Sequence, residues 1–197
     1  MKLQCVIFDM DGTVVDVSYD WKQIKEELMT RGQPILTYLS SLKEPERSEK
    51  WKVLEKYENE ATQNARLKKG MREFLNFLSV HEVKKVLVTN NSQKNVSLLL
   101  KKFDLVFDCI ISRESGLWKP SGAPFLDVLK KLELQREECC VVGDSHFDVK
   151  AANEAGIPLV FILNEDKERF ASLNAEIFSS VYALKKRIDD LLEDGDE

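Results

Sequence analysis

The run Val6-Ile7-Phe8-Asp9-Met10-Asp11-Gly12-Thr13 sets two carboxylates one residue apart at the point where an apolar segment stops. Leu3 to Phe8 is short and rich in branched and aromatic residues, the composition of a strand buried on both faces. Gly12 then supplies the backbone freedom for a sharp turn out of the sheet. In an open parallel sheet, ligands bind beyond the carboxyl ends of the strands. Two acids held this close there repel unless a cation lies between them or one keeps its proton. Magnesium, bound through oxygens and commonly together with substrate phosphates, meets that need. A turn or capping role accounts for one aspartate beside a glycine. Two, followed by Thr13, point to a reaction centre.

Outward from this run, apolar segments alternate with helical patterns, the mark of an α/β fold with a parallel sheet covered on both sides. Strands are expected at Leu3 to Phe8, Lys85 to Thr89, Asp108 to Ser112, Cys139 to Gly143 and Leu159 to Leu163. Helices are expected at Met71 to Ser79, Ser92 to Phe103, Ala123 to Leu132, Asp148 to Ala155 and Val181 to Leu192. The acidic end, Glu193 to Glu197, is expected to fray. Between Asp16 and Lys69 the alternation breaks and no strand signal is present. Two amphipathic patterns stand there instead, Trp21 to Arg31, opened by Asp20 and closed by Gly32, and Glu46 to Leu67, joined by Pro34 to Leu42. About fifty residues is far beyond the usual connection of roughly 2–6, so this stretch reads as an inserted helical subdomain over the catalytic edge. The expected division is therefore a core of 1–15 and 70–197 with a helical cap of 16–69. Trp51 and Tyr57, at helical spacing, are read as packing a small core.

Composition bounds the partners. The 197 residues suit one domain with a small insertion, and 43% hydrophobic content suffices for a core. A formal net charge of -5 weighs against nucleic acid. The chain runs into its first strand without a charged leader, long apolar segment or small-residue cleavage site, so we expect no signal peptide, no membrane span and a cytoplasmic protein. Cys5, Cys109, Cys139 and Cys140 lack metal-ligand spacing and read as reduced core residues.

Three further sites share the first motif's position at strand ends. Thr89-Asn90-Asn91 offers a hydroxyl and backbone N–H groups suited to phosphate oxygens, although Ser92 beside it also reads as an ordinary helix cap. Lys119, before Pro120, offers a compact positive charge to phosphate and carboxylate, or is a solvated surface lysine. Gly143-Asp144-Ser145-His146-Phe147-Asp148 puts one carboxylate at a strand tip and another four residues on, where Asp148 alone would serve as a helix cap. His146 tempts a catalytic reading because histidine titrates near neutral pH. An exposed loop histidine is more often neutral to function, and we assign it no role.

In this order the residues resemble the haloacid dehalogenase superfamily, specifically its magnesium-dependent phosphatases with a small helical cap after the first motif. The four motifs are Asp9-Met10-Asp11-Gly12-Thr13, Thr89, Lys119, and Gly143-Asp144 with Asp148. The branch of phosphoglycolate phosphatase and beta-phosphoglucomutase is the most similar, with Asp16 and Lys119-Pro120 also familiar there. The resemblance implies a Rossmann-like sheet of strand order 5-4-1-2-3, which sets Asp144 beside Asp9. It implies Asp9 as the nucleophile forming an aspartyl-phosphate and Asp11 as general acid and base. Mg2+ would be held by Asp9, the main-chain carbonyl of Asp11 and Asp144. Thr89, the Asn90 amide and Lys119 would neutralise the phosphoryl oxygens, with Gly12 and Thr13 supporting and Asp148 orienting a metal-bound water or Lys119. The implied substrate is a small phosphorylated metabolite, phosphoglycolate-like or a sugar phosphate, with selection left to the cap. There Trp21, Lys22 and Arg31 either face the cleft or form solvated helix surface, and the shortness of the cap leads us to expect an open site. A phosphosugar mutase would use the same catalytic residues and stays open as an alternative. A phosphorylated signalling receiver also gathers acids, a Thr and a Lys around Mg2+, but it places its phosphorylated Asp on a middle strand and has no counterpart to the helical insert. Monomer and dimer are equally compatible with the sequence.

Overall fold

The computed structural model describes residues 2–193, so the acidic end beyond Glu193 lies outside the described residues. Strand β1 (Cys5–Phe8) runs through the middle of the sheet, and every one of its residues is buried. It pairs in parallel with β4 (Lys84–Val88) on one side and β6 (Cys139–Gly143) on the other. Beyond these stand β5 (Cys109–Ile111), β7 (Leu159–Leu163) and β8 (Glu176–Phe178), giving the order β5-β4-β1-β6-β7-β8. The expected five-strand order is present, extended by an edge strand that sequence reading missed. The segment Glu176-Ile177-Phe178 is too short for a periodic signal and becomes a strand by pairing with β7.

Side chains alternate along β1 as a strand's two-residue period requires. Val6 and Phe8 pack on one face with α4 (Met71–Val80), α5 (Gln93–Phe103) and α8 (Val181–Glu193), through Phe74, Leu78, Val96, Leu99, Leu184 and Ile188. Cys5 and Ile7 pack on the other with α6 (Ala123–Leu132) and α7 (His146–Ala155), through Phe125, Val128, Val149 and Ala152. Both faces are covered, which is why the central strands are continuously apolar. All four cysteines are free thiols; three are buried and Cys109 is partly so.

The insert has its own apolar cluster. Helices α1 (Trp21–Leu28), α2 (Ile35–Ser41) and α3 (Glu46–Asn64) bring together Ile24, Leu28, Leu36, Leu39 and Leu54, with Trp51 and Tyr57 packed against them as expected. Asp20 caps α1, its Oδ1 accepting from Gln23 N at 2.9 Å. Two boundaries differ from expectation. The first helix stops at Leu28 because Met29 turns into the left-handed region (φ 57°), before Gly32 is reached. The long helix stops at Asn64, and β3 (Arg66–Leu67) pairs antiparallel with β2 (Val15–Asp16), so the insert enters and leaves through a narrow ribbon. A pairing of two residues per strand leaves no readable pattern and arises only when the ends of the insert are brought together. Helix α7 likewise starts two residues before expectation, at His146, because Asp148 Oδ2 accepts from Ser145 N and Oγ at 3.1 and 2.7 Å and holds the first turn. Among the described residues no helix is long and apolar enough to cross a membrane.

Phe74 is fully buried and meets the Phe8 ring edge-on at a centroid distance of 5.7 Å. Phe74→Ala is expected to lower stability by about 3–5 kcal/mol, read as a shift of the urea midpoint at constant slope.

Candidate active site

Because β1 lies between β4 and β6, the loops leaving the carboxyl ends of these three strands meet at one point of the sheet edge. Asp9 ends β1, Thr89-Asn90-Asn91 follow β4, and Asp144 follows β6. Lys119 reaches in from the loop after β5. It is no surface lysine: only 4% exposed, it sets Nζ 2.7 Å from Asp9 Oδ1 and 2.6 Å from Asp148 Oδ1. Burial opposes its charge, but Asp148 and Asp9 outweigh burial and hold the amine protonated, with its pKa above the ordinary lysine value. Asp148, fully buried, thus closes the first turn of α7 with one oxygen and holds Lys119 with the other. A side chain at Gly143 would overlap the Asp148 carboxyl, so the glycine of Gly143-Asp144 is needed for close approach.

Asp9, Asp144 and Asp148 each bring a carboxylate oxygen within 4.8 Å of the others. One ammonium faces three acids, leaving an excess of negative charge. Burial raises Asp9 well above the usual carboxylate range; Lys119 opposes the rise, while Asp148 and Asp144 add to it. Burial, then Asp148, pushes Asp144 up to about 7. A divalent cation with a preference for oxygen ligands fits this set, since it would offset the repulsion that protonation otherwise relieves. The oxygens of Asp148 are committed to Lys119 and Ser145, so Asp9 and Asp144 are the carboxylates placed to hold it. Gly12, at φ 83°, lies against the Asp144 carboxyl, where any Cβ would collide with it. The loop of Asp11 and Gly12 and the side chain of Asp144 are therefore in direct contact.

Asp11 stands apart from that cluster. Its Oδ2 accepts from Asn91 Nδ2 at 2.8 Å and from the Tyr19 hydroxyl at 3.4 Å, while Oδ1 is buried without a protein partner. Burial raises its pKa and the Asn91 bond works against the rise. Thr89 is buried, and its Oγ1 accepts from Asn91 N at 3.1 Å. The Asn90 side chain is committed elsewhere, donating to Lys119 O at 2.8 Å and accepting from Lys119 N at 2.9 Å. It locks the lysine loop to the end of β4, which leaves the main-chain N–H as the amide of Asn90 suited to phosphate. Thr13 is buried in the turn after Asp11, with its N–H bonded to Met10 O at 3.3 Å. His146 is exposed at the start of α7. Trp21, Lys22 and Arg31 are also exposed, with the Trp21 ring stacked on Tyr19 at 4.4 Å.

Four residues around this site escaped sequence reading: Tyr19, Asn91, Glu58 and Arg113. Asn91 lay inside a quoted motif. Glu58 left a legible trace, because its spacing from Leu54 and Ala61 puts an acid on the apolar stripe of α3. Tyr19 and Arg113 left none: both lie in connecting segments without periodic pattern, and the partners of Arg113 are far off in sequence.

Comparison with known proteins bears on family and fold. The haloacid dehalogenase-like hydrolase family matches residues 6–162. A haloacid dehalogenase-like hydrolase domain-containing protein of Arabidopsis thaliana is 27% identical over 83% of this chain and 72% of its own length. A phosphorylated carbohydrates phosphatase of Thermotoga maritima is 28% identical over 81% of this chain and 84% of its own. The fold is similar to that of a hydrolase from Pseudomonas syringae, with a TM-score of 0.76 at 20% identity, covering 95% of this chain and 98% of that one.

Lys119→Met strips the buried carboxylates of their counter-charge. It is expected to destabilise the fold by about 3–5 kcal/mol in metal-free buffer, measured by urea unfolding.

Proposed function

The chain belongs to the haloacid dehalogenase-like hydrolase family, and within it we propose a magnesium-dependent phosphatase acting on a small phosphorylated metabolite. The observation that carries this reading is the buried Lys119 ammonium touching Asp9, with Asp144 beside it. A carboxylate and a phosphate dianion repel, and this arrangement brings positive charge to the point where they must meet.

Asp9 attacks phosphorus in line: its oxygen forms the new P–O bond as the bond to the leaving oxygen breaks. Asp11, held apart from the acidic cluster, gives its proton to the departing alkoxide and then takes one from the water that hydrolyses the aspartyl-phosphate. Thr89 and the main-chain amide of Asn90 contact the phosphoryl oxygens, while Lys119 balances charge on both nucleophile and phosphoryl group. Asp148 keeps that lysine in place. Magnesium, held by Asp9, Asp144 and the main-chain carbonyl of Asp11, would neutralise charge on the phosphoryl group. Residues 16–69 act as a cap over the site, and the cap rather than the sheet selects the substrate. The name of the Thermotoga maritima relative supports a sugar phosphate as a substrate class. Free thiols fit a reducing cytoplasm as the setting.

Phosphate release over an aryl phosphate, phosphoglycolate, sugar phosphates and nucleotides tests the reading. Turnover is expected with Mg2+, background release with a chelator, and background release from Asp9→Asn under all conditions. Wild-type turnover by Asp9→Asn would show that the nucleophile lies elsewhere.

A further inference from the structure

The insert meets the core through a contact that the mechanism above leaves unused. Glu58 on α3 and Arg113 in the loop after β5 form a two-pronged ion pair, Nη1 to Oε1 at 2.7 Å and Nη2 to Oε2 at 2.9 Å. Both side chains are buried, 8% exposed for Arg113 and 7% for Glu58. The guanidinium also lies over the Trp51 ring, 4.9 Å from its centroid. Burying two charges is expensive, and apolar residues of similar volume often serve stability as well, so adhesion alone explains this pair poorly. What the planar fork adds is direction: it fixes the distance and the angle between the two pieces of chain that carry it. At the C-terminal end of α3, Lys102 of α5 donates to the carbonyls of Gln63 and Ala65 at 2.9 and 2.8 Å, so the helix is held at two points.

Two routes lead from the pair to Asp11. On the core side, the main-chain N–H of Arg113 donates to Asn91 O at 3.1 Å, and Asn91 Nδ2 donates to Asp11 Oδ2. On the insert side, Trp51 packs into the same apolar cluster as Tyr19, and the Tyr19 hydroxyl donates to that same Asp11 oxygen. One donor therefore belongs to the core and the other to the insert. Their convergence depends on how the two are seated.

We propose that Glu58 and Arg113 are positioning residues for proton transfer: their buried fork seats the insert so that Asn91 and Tyr19 converge on Asp11 and hold its carboxyl in one orientation. The proposal rests on the reading of Asp11 as the general acid. It makes seating of the insert a condition for departure of a poor leaving group, and not for attack by Asp9.

The test compares kcat/KM for an alkyl phosphate with that for nitrophenyl phosphate. An alkoxide needs a proton in order to leave, whereas nitrophenolate departs without one. Arg113→Lys keeps the charge and loses the fork. Because breaking a buried pair endangers folding, the double variant Glu58→Met/Arg113→Met is measured beside it, with near-UV circular dichroism and melting confirming the fold of both. In both variants the alkyl-to-aryl ratio is expected to drop about 10²-fold, the effect of misplacing a reacting group by about 1 Å. Asp11→Asn is the control and is expected to drop the ratio by about 10²–10⁴-fold. A drop in Asp11→Asn with an unchanged ratio in the folded pair variants overturns the positioning role alone. An unchanged ratio in Asp11→Asn overturns the general-acid reading and the positioning role with it.

Discussion

A single buried ammonium holds the site together. Lys119 sits between Asp9, just past the end of β1, and Asp148, in the first turn of α7, and without it three acids would share a nearly dry corner with no positive charge among them. The contact has a second consequence. Asp148 also closes the first turn of α7, and Asn90 grips the main chain of Lys119, so the loops after β4, β5 and β6 are tied to one another through one side chain. The edge of the sheet is consequently a rigid unit, the condition for electrostatic stabilisation that needs no rearrangement during reaction.

Rigidity of that kind requires a scaffold that presents strand ends side by side, and the two-faced core supplies it. Val6 and Phe8 face one helical layer, Cys5 and Ile7 the other, so β1 has no polar face and can occupy only the interior of the sheet. Its carboxyl end then necessarily lies between those of β4 and β6. The insert leaves this edge through a ribbon of two residues per strand, which gives little restraint of its own, and its seating is set instead by side chains, Glu58 with Arg113 and Lys102 with the end of α3.

Much of the fold was legible because its signals are local. The five main strands stand out as short apolar runs and the helices covering them show a 3.6-residue period, and the insert betrays itself as a connection too long for an ordinary loop. Where reading failed, the cause was non-local. Strand β8 and the ribbon are too short to carry a period and exist through their partners. Met29 ends α1 by taking a left-handed turn that its residue type does not announce. Asn91, Glu58 and Arg113 gain their meaning from neighbours tens of residues away, and Tyr19 gains its own from a chain reversal that brings it back onto Asp11. Asn90 was read as a phosphate amide, and its side chain proves to be a fastener between two loops.

The order of acids, hydroxyl and lysine along the chain thus determined the family resemblance, because strand ends announce themselves in sequence and Asp, Thr and Lys carry their functional groups wherever they stand. Tertiary structure alone decided which acid keeps which partner: Asp148 with Lys119, Asp144 against the Gly12 loop, Asp11 with Asn91 and Tyr19. The physical reason is distance. Charges and hydrogen bonds act over a few ångströms in space, and sequence records only separation along the chain.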